Sequence, residues 1–73
     1  EPRSNIVKRL ADKYKKFQVA MGLNVSGNLV EVFVSKEGAF TILLSEPNGR
    51  ACIATTGHNW ATEGFPEVKG VGT

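Results

Sequence analysis

Apolar and polar positions follow strand-like alternation through the middle of this chain. From Leu29 to Trp60 it reads LVEVFVSKEGAFTILLSEPNGRACIATTGHNW, three runs rich in β-branched and large apolar residues separated by KEG and PNG. Such runs bounded by Gly, Pro and Asn predict strands joined by tight turns. The first is Leu29–Ser35, with Val30, Val32 and Val34 on one face and Leu29, Glu31 and Phe33 on the other. The second is Ala39–Ser45, where Phe40, Ile42 and Leu44 oppose Ala39, Thr41 and Leu43. The third is Arg50–Thr56, where Ala51, Ile53 and Thr55 oppose Cys52, Ala54 and Thr56. Gly38 is free to take positive φ in the first turn, and Pro47-Asn48-Gly49 is the clearest turn in the sequence.

Upstream the period changes. Ile6, Val7, Leu10 and Tyr14 recur at helical spacing, and Ala11 and Phe17 widen the stripe. This predicts a helix over residues 4–16, capped by Ser4, with an Asp12–Lys16 pair on its wet side. Residues 17–23 fit either a continuation of the helix or a strand. Val19, Met21 and Leu23 alternate, Gly22 disfavours a helix interior, and NVSGN follows as a turn. A strand from Gln18 to Val25, paired with Leu29–Ser35, is the better reading. The expected fold is therefore α+β: an N-terminal helix packed on a four-stranded antiparallel β-meander.

The strands at 29–35 and 39–45 are apolar on both faces, whereas an antiparallel sheet with one wet face alternates more cleanly. A cover for the second face is expected, either a second copy of the chain or the C-terminal segment with Trp60 and Phe65. Beyond Trp60, Gly64, Pro66, Gly70 and Gly72 break any regular element. The ends, 1–3 and 66–73, read as flexible. No internal repeat is read. No run of about eighteen apolar residues exists to form a spanning helix.

Seventy-three residues make one domain of marginal core size. Disulfides, metals or a partner usually help at this length. Cys52 is the only cysteine, and no CxxC or HExxH occurs, so neither an intrachain disulfide nor a zinc site is expected. That leaves a partner subunit, and a homodimer is the expectation. The chain begins at Glu1 rather than Met, so an upstream segment, removed or omitted, is expected: a tag, a signal peptide or another domain.

The formal charge is only +2, but it is unevenly placed. Residues 1–16 hold Arg3, Lys8, Arg9, Lys13, Lys15 and Lys16 against Glu1 and Asp12; acids outnumber bases in the remainder. A solvated helix face accounts for this. The alternative is weak, sequence-independent nucleic-acid binding through Lys8, Arg9, Lys13, Lys15 and Lys16.

Little else carries chemistry. Cys52, His58 and Glu31 are the only ingredients for a small hydrolase. Cys52 and His58 are ~20 Å apart along an extended strand. Cys52 is expected to be a small buried hydrophobe, with a dimer-bridging thiol as the alternative. Glu31, between apolar neighbours, needs a partner if buried, such as Arg50 or a lysine of the basic segment. Trp60, after a strand end and a glycine, is expected to close the core with its indole N–H on a carbonyl. The functional reading of that loop is a binding lip of Thr55, His58, Asn59 and Trp60. Asn24-Val25-Ser26 matches a glycosylation acceptor, meaningful only on a eukaryotic secretory route. No P-loop or base-stacking strand motif occurs, and no cofactor is implied.

The string from about Lys13 to Trp60 resembles a group of small exported proteins of alphaproteobacteria with no known activity. The residues that carry the likeness are LVEVF at Leu29–Phe33, the SKEG turn, the TILL strand, PNGRAC and the terminal GHNW. A phage-borne gene fits the same resemblance. It implies export and a mature N-terminus near Glu1, and offers no catalytic residue. The expected function is a small soluble non-enzymatic binding or assembly module.

Overall fold

The computed structural model describes residues 1–61. The elements run α1 (Arg3–Tyr14), β1 (Phe17–Leu23), β2 (Leu29–Val34), β3 (Phe40–Ser45) and β4 (Ala51–Gly57). The strands form one antiparallel sheet in the order β1-β2-β3-β4, the meander expected from the sequence. Phe17–Leu23 is a strand. Residues 66–73, read as flexible, and Phe65, read as an anchor, lie outside the described residues.

Three identical devices set the sheet. Each hairpin has a three-residue loop: Val25-Ser26-Gly27, Lys36-Glu37-Gly38 and Pro47-Asn48-Gly49. The closing pairs are Asn24 and Asn28, Ser35 and Ala39, and Glu46 and Arg50. Each loop glycine has φ between 83° and 91° and donates its N–H to the carbonyl three residues earlier. This is a turn closed by a left-handed residue, the next commonest hairpin after the two-residue kind. The glycines fall at 27, 38 and 49, a spacing of eleven. The sequence does contain a repeat, of turn chemistry, which the apolar pattern alone hides.

The helix differs from expectation at both ends. It starts at Arg3 after Pro2, whose extended backbone (ψ 138°) places it as the cap without a side-chain hydrogen bond. Ser4 therefore lies inside the first turn and caps nothing. The helix stops at Tyr14 because Lys15 turns left-handed (φ 54°), and the Lys16 N–H bonds the Leu10 carbonyl. That is the usual way of closing a helix, normally done with glycine. Lys16 thus leaves the helix and does not pair with Asp12. The first residues are tied down: Glu1 accepts from Ala51 N–H, Pro2 bridges Arg50, and Arg3 N–H donates to Gly49.

α1 lies across one face of the sheet. Ile6 and Leu10 pack with Phe33, Leu43 and Ala51 to form the buried core. Burying each such large side chain contributes about 1.5–3 kcal/mol. The same face carries Glu31, Ser35, Thr41 and Ser45, all buried. A bulge at each outer strand then shifts the alternation by one residue, at Val19 in β1 and Ala54 in β4. So Thr56, not Thr55, lies beside Thr41, and Thr55 lies beside Ile42 on the far face.

Candidate functional site

The far face of the sheet holds Val30, Val32, Val34, Phe40, Ile42 and Leu44, in three cross-strand pairs. All six are half-buried. No helix or strand among the described residues lies over them. The Cα envelope is only 16 Å in its thinnest direction, room for a sheet and one helix layer. Cys52 pairs with Leu44 on this face and is exposed, against the expectation of burial.

One end of this face is finished by Trp60. Its ring meets Phe40 with centroids 5.3 Å apart at 56°. Its backbone N–H donates to Gly38 at 2.9 Å. The indole N–H, expected on a carbonyl, is buried without a partner among the described residues. Asn59 reverses the chain at φ 62°, allowing Trp60 to fold back over the β2–β3 turn. The Phe40 ring in turn crowds Gly57, where an added Cβ would come within 2.6 Å of it. Of the expected lip, Asn59 and Trp60 come together over Gly38, and Thr55 shares the far face through Ile42. His58 is exposed beyond the strand end. Phe40 and Gly57 were not foreseen as members. The spacing that could have found them is the Gly57 position opposite an aromatic in a four-strand register.

On the helix side, Glu31 is fully buried and fully satisfied. Arg3 donates through Nε and Nη2, each at 2.6 Å, and Gln18 Nε2 donates at 2.7 Å. The partner is neither Arg50 nor a lysine. Arg50 is exposed in the β3–β4 turn, where its backbone bridges Pro2, and the bulge at Val19 turns Gln18 to the helix side. The hydrogen bonds from Arg3 hold the Glu31 carboxyl below the usual carboxylate range. Burial pushes the other way and is overcome, with Gln18 assisting.

The five candidate phosphate contacts do not share one surface. Lys8, Arg9 and Lys13 line one open groove of α1, which they share with the carboxylates of Glu1 and Asp12. Arg9 is paired with Glu1, and Lys15 Nζ donates to the Asp12 carbonyl. Lys16 Nζ turns to the sheet and donates to Thr41 Oγ1 at 2.8 Å.

β4 stays extended from Ala51 to Gly57, so Cys52 and His58 remain at opposite ends of it. Among the described residues no three of His, Cys, Asp and Glu come together as a metal site. No helix among them is long and apolar enough to cross a membrane. No family model, curated relative or solved structure matches this chain.

Proposed function

We propose that this protein is a small non-enzymatic binding and assembly module that works as a homodimer through the far face of its sheet. The observation that carries the reading is the six-residue apolar face opposite α1, ended by the Phe40–Trp60 pair. Four strands at ~4.8 Å spacing and six residues at ~3.3 Å give a face about 20 Å on a side. Stacking two of them removes on the order of 1,000 Å² from water, the lower end of specific interfaces. The face bears no charge, so it is complementary to itself about a two-fold axis. The resemblance in sequence adds an exported setting to this proposal.

Sedimentation equilibrium at micromolar concentration is the test. Twice the monomer mass is expected, falling to monomer in Ile42→Lys with the circular dichroism of a folded sheet. A monomeric native chain overturns the dimer.

A second geometry has its own observation. Among the described residues, five of the seven exposed large apolar side chains lie at Phe17, Val19, Met21, Leu23 and Val25. They sit on an uncharged edge strand and its turn, which favours pairing of β1 with β1 of a second copy. Met21→Lys breaks that pairing and leaves face stacking intact.

A further inference from the structure

On the helix side of the sheet, α1 leaves one end of the surface uncovered. A groove of about 310 Å³ opens there between the last turns of α1 and β4. Leu10 and Ile53 form its apolar walls, and Ile53 is 47% exposed although it faces the helix side. Arg9, Tyr14, Lys16, Thr41 and Thr56 stand around it, and no carboxylate lines it; Arg9 is already paired with Glu1, which leaves Lys16 as the uncompensated cation of the lining. The Lys16 ammonium is part-buried beside this groove. Its hydrogen bond goes to a neutral acceptor, the Oγ1 of Thr41, a residue only 1% exposed. The Tyr14 ring lies 5.6 Å from Nζ. No carboxylate among the described residues pairs with Lys16.

An ammonium has three donors, and a neutral hydroxyl uses one without compensating the charge. An apolar trough ending at such a cation is complementary to an anion with an apolar body. The volume is at the small end for ligand pockets, which run from ~300 Å³. We infer that this groove binds a small aliphatic monocarboxylate. The carboxylate takes the free donors of Lys16, with the Thr56 hydroxyl available as a second donor, and the chain lies along Leu10 and Ile53. The site is on the opposite side of the sheet from the dimer face, so the two proposals fail separately.

Octanoate and octanol, titrated into the intact protein and followed by methyl and amide NMR shifts, provide the test. Octanoate is expected to shift Leu10, Ile53, Thr41 and Thr56 and to bind at least about tenfold more tightly than octanol, the worth of a charge-assisted hydrogen bond. Lys16→Gln removes that preference. Ile53→Glu, which keeps Lys16 but sets a carboxylate in the wall, abolishes octanoate binding. Equal affinity for the two probes overturns the inference. So does an unchanged preference in folded Lys16→Gln, or octanoate shifts centred on Val32 and Ile42.

Discussion

Arg3 and Glu31 meet through two parallel hydrogen bonds, Nε to Oε1 and Nη2 to Oε2, each 2.6 Å long. They join the first turn of α1 to the middle of β2 across 28 residues of chain. Glu31 is wholly buried, whereas the Arg3 side chain is 38% exposed. Removing Arg3 strands a buried carboxylate with only Gln18. Arg3→Ala should therefore cost about 2–3 kcal/mol in urea unfolding, somewhat less than a fully buried pair because water reaches the guanidinium. The double change Arg3→Met with Glu31→Met should recover much of the loss.

The same pair sets an acid limit. The folded state holds the Glu31 carboxyl below its unfolded value of about 4.3, so the unfolded state binds more protons as pH falls. Stability from this group is complete above the unfolded value and drains away as pH drops through the folded one. Melting temperature should fall on that acid side. In Arg3→Ala the Glu31 value rises toward or past the unfolded one, so this acid-side loss should shrink or reverse. In Glu31→Gln this contribution to the slope should vanish.

Phe40 packs against both Gly57 and Trp60. A methyl at position 57 would overlap the ring at 2.6 Å, and the ring is also in contact with Trp60. Gly57→Ala should cost about 1–3 kcal/mol as an overpacking change. Trp60→Ala should cost roughly 2 kcal/mol, less than a core tryptophan, because it caps a half-buried face. Combining the two should cost less than their sum, since losing Trp60 frees Phe40 to move. Thermal or urea melts of the three variants measure this.

Left-handed positions offer a test with opposite signs. At Gly27 and Gly49 a Cβ meets nothing within 4 Å, so only φ is at stake. Alanine at either should cost about 1–2 kcal/mol, and Gly27→Asn less. Lys15 occupies the same backbone region without being glycine. Lys15→Gly should stabilise the protein by up to about 1 kcal/mol.

Nucleic-acid binding through the basic residues should be weak. With Arg9 paired and Lys16 turned to the sheet, few cations remain for phosphate. Fluorescence anisotropy with a random duplex and a random single strand should give a Kd above about 10⁻⁵ M at physiological salt. Submicromolar binding, lost when Lys8, Lys13 and Lys15 become Gln, would reverse that ranking.

The sequence by itself determined the helix, the four strands, their order and the two apolar sheet faces. Those follow from periodicity and from glycines at 27, 38 and 49, which act over a few neighbouring residues. Only the tertiary structure decided which face α1 covers. Arg3 selects it by pairing with Glu31, 28 positions away, and no local pattern encodes that choice. It also decided the side-chain direction in β1 and β4. One-residue bulges at Val19 and Ala54 invert an alternation that reads as regular in the sequence. Thr55 therefore faces the open side, while Thr56 joins Thr41 and the lysine that left its helix. The open face was legible as composition. Its end at Trp60 depends on Asn59 turning the chain back over Gly38, a contact whose free energy exists only once β2 and β3 are paired.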